Sequence, residues 1–433
     1  MNNNTIFALS SGHGKSGVAV VRISGDNLSG FAKKITKQKS KIIPRHAYFT
    51  NLVDDAGELI DQCIVIYFNA PHSFTGTDII EIHTHGAPAV INRVFEFLSD
   101  NRFHMAMPGE FSRRAFYNNK MDLTDVDGLA ALLDAQTNRQ RQFALKSMLG
   151  GDGKTYANWR TQMIDIAAFA AAILDYADDE LPTNITKTLR NRTQKLYNEI
   201  KQSLSRYAAV RAIQAGFNIV LAGPTNAGKS SIFNRIVGTN RAIVSDTPGT
   251  TRDVVSATID IDGYMVNISD TAGLRDTPDD NVEQMGIMRT HDEINNADLV
   301  IRVCAPDTDT HMAPSGKNEI VVINKSDIGA TGDGICISAR TGDGFDKLMH
   351  AIKNKMHEFM DCADGTLVIN QRTHDLLHDT QTQLDAALKT PDDNMDIFSE
   401  HVRHAADNIG MILGTISTSD VMDATFGQLC LGK

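Results

Sequence analysis

Cysteine is sparse in this chain and never paired. The five thiols, Cys63, Cys304, Cys336, Cys362 and Cys430, are odd in number and scattered over 433 residues with no C-x-x-C. That excludes a disulfide framework or a cysteine zinc site and points to a reducing compartment. Long apolar runs are also missing. The longest, residues 166–174, falls well short of the ~20 residues that span a bilayer, and the N-terminus has no basic stretch followed by an apolar one. A cytoplasmic protein without a membrane segment is expected. Cationic excess is missing too: 42 Lys and Arg stand against 53 Asp and Glu, a formal charge of -11. This argues against generic coating of nucleic acid, which needs a widespread positive surface to displace counterions. Any nucleic-acid site must be local.

What is present suffices for two or three globular domains, since 42% hydrophobic and 22% charged residues is ordinary composition at this length. Short β-rich runs are predicted at 17–23, 47–52, 64–68 and 78–83, with a helix over 89–98. From Leu123 the apolar residues Leu123, Val126, Ala130 and Leu133 recur at helical spacing, Gly150 and Gly151 supply a stop, and helix resumes over 159–176. Residues 187–211 hold Lys187, Arg190, Arg192, Lys195, Lys201, Arg206 and Arg211 against the single acid Glu199. This basic helix reads either as a solvated face or as one turned to RNA. A βα alternation begins at Phe217, with buried strands predicted at 218–221, 257–261, 266–268, 299–303 and 320–323. It stops near His357, and residues 369–423 read as helix again, so an α/β unit looks inserted between two helical halves.

Gly223-Pro-Thr-Asn-Ala-Gly-Lys-Ser230 matches G-x-x-x-x-G-K-S directly after an apolar strand and before a helical segment, the context a phosphate loop requires. Asn226, Ala227, Gly228 and Ser231 would help cradle phosphates, Lys229 would offset charge on the β and γ groups, and Ser230 would ligate Mg²⁺. Asp270-Thr271-Ala272-Gly273 follows a strand and supplies an acid for the Mg²⁺ shell and a glycine amide for the γ-phosphate; Thr250 and Thr251 lie where a switch threonine belongs, and Thr251 is taken as a second Mg²⁺ ligand. Asn324, Lys325 and Asp327 follow the strand at 320–323, and Asp327 would accept both N–H donors on guanine's edge, selecting GTP over ATP. Ser338, Ala339 and Arg340 form the loop whose backbone amide would reach the guanine oxygen. In this order the motifs specify a P-loop GTPase. Where such enzymes place a water-orienting glutamine, this chain has Leu274, and the polar candidates downstream are Arg275, Asp276, Asp279, Asp280 and Glu283.

Three features imitate sites. Gly14-Lys15-Ser16 lacks the first glycine of a phosphate loop, having Leu9 there, and precedes a strand. His83 and His85 could share one strand face, but no third metal ligand accompanies them. Cys430-Leu-Gly-Lys433 resembles a prenylation box only in its cysteine.

Further segments, Val20-Val-Arg-Ile-Ser-Gly25, Ser73-Phe-Thr-Gly76, Asp78-Ile-Ile-Glu-Ile82, His85-Gly86, Pro108-Gly-Glu-Phe-Ser-Arg-Arg-Ala-Phe116, Lys120-Met-Asp-Leu123 and the terminal Cys430-Leu-Gly-Lys433, are similar to those of the MnmE (TrmE) family of bacterial tRNA-modifying GTPases. The resemblance extends over essentially the whole chain. It implies an N-terminal α+β domain (residues 1–118) that binds folate and forms a homodimer, a discontinuous helical domain (119–212 and 359–433), and an inserted Ras-like, TrmE-type G domain (213–358). The family's folate residues match Arg22, Glu81, Lys120 and Lys433, its C-terminal cysteine matches Cys430, and its water-orienting glutamate matches Glu283. Its K⁺ ligands match Asn226, Ser245, Thr247 and Thr250, so that Ser245, Asp246, Thr247, Pro248, Gly249 and Thr250 are expected around the nucleotide. Ser245 and the Thr247-Pro248 pair depart from the family's usual residues there. The implied activity is a K⁺-stimulated, Mg²⁺-dependent GTP hydrolysis. With the FAD-binding partner MnmG in a heterotetramer, it serves to install an aminomethyl or carboxymethylaminomethyl group on carbon five of the tRNA wobble uridine. The carbon would come from 5,10-methylenetetrahydrofolate, of which 5-formyltetrahydrofolate is an analogue. The rival is a K⁺-dependent GTPase switch in ribosome assembly, which would have no use for Arg22, Glu81, Lys120 and Cys430.

Overall fold

The computed structural model describes residues 4–149, 151–175, 184–243, 255–270, 292–306, 318–363, 370–415 and 432. They divide into two compact units, Met1–Ala130 with Met148–Gln162 and Ala406–Lys433, and Ala131–Ser147 with Met163–Ala405.

Period-two alternation builds the first unit. Its elements are β1 (Ile6–Leu9), β2 (Ser16–Gly25), α1 (Ser29–Thr36), β3 (Ala47–Val53), β4 (Leu59–Phe68), β5 (Asp78–Gly86), α2 (Pro88–Asp100), β6 (His104–Met105) and α3 (Glu110–Tyr117). The sheet runs β3-β4-β5-β2-β1-β6, antiparallel except where β1 meets β6. One set of alternating side chains, Phe7, Val21, Ile23, Val65, Ile80 and Ile82, is buried in a core with Ala32 and Ile35 of α1 and Val94, Phe97 and Leu98 of α2. Each such residue contributes roughly 1.5–3 kcal/mol. The other set faces away. At the β1 end, Ile6 and Ala8 pack with Phe111 of α3; at the β3 end, the cross-strand neighbours Phe49 and Ile64 are 73% and 41% exposed.

The chain continues through α4 (Leu123–Asp134), α5 (Asn138–Met148), α6 (Gly151–Asp175), α7 (Ile185–Ser205) and α8 (Tyr207–Ala215). The second unit's sheet comprises β7 (Phe217–Ala222), β8 (Arg241–Ala242), β9 (Val255–Ile261), β10 (Tyr264–Asp270), β11 (Leu299–Cys304), β12 (Glu319–Ile323) and β13 (Ile335–Cys336). Helices α9 (Lys229–Thr239), α10 (Phe345–Met360), α11 (Gln371–Lys389) and α12 (Met395–Leu413) complete the described elements used below. Strand order is β13-β12-β11-β7-β10-β9-β8, parallel from β13 to β10. Parallel strands buried on both faces need continuous apolar runs, and β7 and β11 have them in Ile219, Val220 and Leu221 and in Val300, Ile301 and Val303. All the parallel strands point their C-terminal ends the same way, and the loops that follow β7, β12 and β13 make the cleft described below.

The β9–β10 hairpin is gripped at its tip. Asp262 and Gly263 turn in the left-handed region at φ 53° and 83°, the Gly263 carbonyl accepts the Arg139 amide of α5 at 3.1 Å, and the Arg139 guanidinium lies 5.0 Å from the Tyr264 ring centroid. From α10, Lys353 Nζ meets Asp262 at 2.8 Å and His357 Nε2 at 3.6 Å.

Mixed α/β architecture with helical segments on both sides of a Ras-like sheet is what the residue pattern led us to expect, with local differences. β1 has no counterpart among the predicted strands, because four apolar residues buried on both faces carry no alternation. The basic segment is two helices broken at Arg206, and α11 and α12 divide the later helical stretch at a turn over residues 391–394. No described helix is long and apolar enough to cross a membrane.

Cys63 sits in the first core, where burial, with the Asp61 carboxylate beside it, pushes the thiol up to about 12. It stays protonated at neutral pH, and the thiolate is the reactive form. Iodoacetamide at pH 8 followed by peptide mapping should leave Cys63 unmodified in the native protein and label it after denaturation, whereas exposed Cys362 should be labelled in both.

Candidate functional site

The loop after β7 is shaped by close approach. Gly223 has φ 148°, and a Cβ there would stand 2.2 Å from the Val303 carbonyl oxygen; Gly228 has φ 91°, and its Cβ would stand 2.1 Å from Asn324 Nδ2. Between them Asn226 adopts φ 62°, a left-handed conformation that asparagine tolerates better than most residues. Gly228 hands over to α9, so the first turn of that helix presents free amides beside the loop. Lys229 Nζ, buried, donates to the Gly223 and Pro224 carbonyls, each at 2.9 Å. Ser230 Oγ donates to Asp270 Oδ2 at 2.5 Å, bringing the start of α9 to the end of β10. A hydroxyl and a carboxylate are hard oxygen donors, and this pair suits Mg²⁺.

The half of the cleft formed by the loops after β12 and β13 is tied to that loop by Asn324, itself buried. Its Nδ2 donates to the Ala227 carbonyl at 2.9 Å, and its Oδ1 accepts the Ala339 amide at 3.0 Å. Asp327 Oδ1 accepts Ser338 Oγ at 2.7 Å, and its Oδ2 faces Arg340 Nη2 at 3.1 Å. The Ser338 hydroxyl, aided by the Arg340 guanidinium, holds the Asp327 carboxyl below the usual carboxylate range. It is therefore ionised, and acceptor-only, at any pH where the protein would work. Asn226, Gly228, Lys229, Ser230, Ser231, Asn324, Lys325, Asp327, Ala339 and Arg340 line one open cavity of about 820 Å³, within the range that holds a small-molecule cofactor.

Of the other expected nucleotide residues, Ser245, Asp246, Thr247, Pro248, Gly249, Thr250, Thr251, Thr271, Ala272, Gly273 and Glu283 lie outside the described residues.

In the first unit, Arg22 on β2 and Glu81 on β5 are register partners. The guanidinium donates twice to Glu81 Oε1, from Nε at 3.0 Å and Nη2 at 2.9 Å, and stands 5.6 and 5.9 Å from the ring centroids of Phe74 and Phe111. Arg22 Nη1 also donates to the Gly432 carbonyl at 3.3 Å, as does Ser10 Oγ at 3.0 Å. Gly432 has φ 92°, and a Cβ would stand 2.3 Å from the Leu9 carbonyl oxygen, so the tail fits here only as glycine. Lys120 passes close to Gly76, two residues from Phe74. Cys430 and Lys433, which flank this contact, lie outside the described residues.

Two of the three imitating features fall within the described residues. Ser16 begins β2, His83 Nε2 lies 3.5 Å from Glu81, and His85 Nδ1 meets Asp61 at 2.8 Å. No group of three or more His, Cys, Asp or Glu placed to hold a metal occurs among the described residues. Arg235 was not foreseen. From α9 it donates to three successive carbonyls of the Ser338 loop, Ala339 at 3.0 Å, Arg340 at 3.4 Å and Thr341 at 3.2 Å, and lies 5.2 Å from the Phe345 ring centroid. Its partners are over a hundred residues away and are backbone atoms, so no motif could reveal it.

Comparison with known proteins covers both units. The family model described as the GTP-binding protein TrmE N-terminus matches residues 5–120, and the MnmE helical domain model matches residues 123–430. A tRNA modification GTPase MnmE of Wolbachia pipientis subsp. Culex pipiens (strain wPip) is 39% identical over 444 residues, spanning 100% of this chain and 99% of the relative. The protein of the same description from Bradyrhizobium sp. (strain ORS 278) is 36% identical over 444 residues with the same coverage. That from Parvibaculum lavamentivorans is 37% identical over 439 residues, 99% of this chain and 100% of the relative.

Arg235 holds the Ser338 loop through its main-chain carbonyls, which makes it a positioning residue. Arg235→Ala should raise the KM for GTP about tenfold, from the loss of a charged donor shared by three carbonyls, with kcat within about twofold. Arg235→Lys, able to serve fewer of the carbonyls, should fall between. Steady-state kinetics would contradict the assignment if kcat fell as much as kcat/KM.

Proposed function

The chain belongs to the MnmE family of tRNA modification GTPases, and from that membership we propose that it binds GTP in the cleft at the ends of β7 and β12 and hydrolyses it to drive modification of the tRNA wobble uridine. The observation that carries this reading is Asp327, ionised and aimed into the same cavity as Lys229 and Ser230. Its carboxylate would exchange Arg340 for the two N–H donors of guanine. Lys229 Nζ would leave the Gly223 and Pro224 carbonyls for the β- and γ-phosphates. Ser230 and Thr251, with Asp270 behind them, would hold Mg²⁺, which supplies electrostatic stabilisation of the charge developing on the transferred phosphoryl group. Glu283 would orient the attacking water in place of the glutamine that Leu274 displaces. Asn226, Ser245, Thr247 and Thr250 would hold K⁺ where other GTPases receive an arginine.

The Arg22–Glu81 pair, roofed by Phe74 and Phe111, supports a second site in the N-terminal unit for 5,10-methylenetetrahydrofolate, the one-carbon donor. A planar ring can stack on the partly exposed Phe74 face, and Glu81 can accept from ring N–H groups; Lys120 and Lys433 would meet its carboxylates. The Gly432 contact carries the tail to that site, where Cys430 would serve the chemistry on carbon five of the uridine. MnmG, the FAD-binding partner, would complete the enzyme. The exposed apolar pair Phe49 and Ile64 supports a homodimer through the N-terminal sheet. A ribosome-assembly switch would require neither this paired arginine and glutamate nor the tail.

Nucleoside mass spectrometry of bulk tRNA from cells lacking the gene tests the reading. The carboxymethylaminomethyl or aminomethyl uridine should be absent, restored by the intact chain and not by Cys430→Ser. Unchanged nucleosides in every strain would overturn tRNA modification in favour of the switch.

A further inference from the structure

Helix α7 carries a surface that neither the nucleotide cleft nor the Arg22 cluster uses. Its buried side, with Leu189, Thr193, Leu196, Ile200 and Ser203, packs against α11. Two cations of the basic segment are committed to structure: Arg190 donates to the Leu388 carbonyl at 3.0 Å and to Asp392 Oδ1 at 2.7 Å, and Arg211 faces Asp298 at 3.5 Å. The outer side is different. Lys187, Lys195 and Lys201 are exposed there, Arg192 is exposed on the flank, and the one acid beside them, Glu199, lies 3.9 Å from Lys195. Between the cations the exposed side chains are amides, Asn191, Gln194, Asn198 and Gln202. Tyr197, the only aromatic residue of the helix, is half-buried with Lys201 Nζ 5.8 Å from its ring centroid.

We propose that this outer face of α7 is the surface on which the chain receives the structured part of tRNA. The proposal rests on the tRNA-modifying reading above. In a chain of formal charge -11 a polyanion can dock only where cations are gathered. Lysine and arginine neutralise phosphates, and amides pair with ribose 2′-hydroxyls as donor and acceptor at once. A face without a presented aromatic ring suits a base-paired stem rather than unstacked bases, which need stacking platforms. At 1.5 Å per residue the 21-residue helix is about 31 Å long, long enough to follow an RNA backbone past several phosphates.

The test is binding of an unmodified tRNA transcript to the full chain, by fluorescence anisotropy across about 0.05 to 0.2 M salt. The variant Lys187→Ala, Arg192→Ala, Lys195→Ala, Lys201→Ala should lower the slope of log affinity against log salt by about 3, from ~0.7–0.9 per lost phosphate contact, with GTP hydrolysis unchanged. Its Kd near physiological salt should rise at least tenfold. If that variant fails to fold, Lys187→Gln with Lys201→Gln, two exposed side chains, should give about half the slope change. Superimposable curves for variant and wild type would overturn this surface while leaving tRNA as substrate. A wild-type chain that binds no tRNA at the lowest salt would overturn the tRNA reading itself. Equal binding of a DNA duplex of similar length would overturn recognition of RNA.

Discussion

One buried amide holds the nucleotide cleft together. Asn324 joins the Ala227 carbonyl of the Gly223–Ser230 loop to the Ala339 amide of the Ser338 loop, so one side chain spans the two halves of the site, which lie on opposite sides of β11. Both of its polar atoms are satisfied by backbone, and leaving either orphaned in this buried place costs about 1–3 kcal/mol. The constraint extends to the glycines. Gly228 has no room for a Cβ because Asn324 Nδ2 already occupies that space. Arg235 repeats the same logic from the other direction, fastening α9 to the carbonyls of the Ser338 loop. The Gly223–Ser230 loop and the Ser338 loop are thus mechanically one unit.

A second chain of contacts leads away from the cleft. Ser230 is bonded to Asp270 at the end of β10, and the opposite end of that hairpin is held by Arg139 of α5 and by Lys353 and His357 of α10. Gln140 of α5 in turn donates to the Gln214 carbonyl at 2.8 Å, at the end of α8. The β9–β10 hairpin therefore carries the Ser230–Asp270 pair at one end and contacts to α5 and α10 at the other. Asp262 is the charged point of that grip; its carboxyl is lowered chiefly by the Lys353 hydrogen bond. A group with a depressed folded-state value lends stability above its unfolded value and loses it as pH falls through the folded one. The grip thus persists at neutral pH.

Much of this was legible because the site depends on local spacing. The phosphate loop, Asp270, Asn324, Asp327 and Ser338 are each set by a few residues following a buried strand, and periodicity finds such strands when they are long enough. Arg22 and Glu81 were singled out only through resemblance, and their partnership was not foreseen, since strand pairing across 59 positions leaves no trace in spacing. β1 escaped because its four residues show no alternation, and Arg235 because its partners are main-chain oxygens. The Gly432 contact joins the two ends of the chain, a separation no pattern encodes. The basic helix could be seen, but its division into structural and exposed cations required knowing which face packs on α11.

The most direct measurement of the central claim is nucleotide titration of Asp327→Asn. An asparagine amide would set an N–H donor against guanine's N2 amino group, while offering xanthine, which has an oxygen there, a matched pair. The variant should lose at least about a hundredfold in GDP affinity, the equivalent of two hydrogen bonds to a charged group, and gain affinity for XDP. Unchanged GDP binding, with no gain for XDP, would mean that Asp327 does not read the base and that the cleft is not the guanine site.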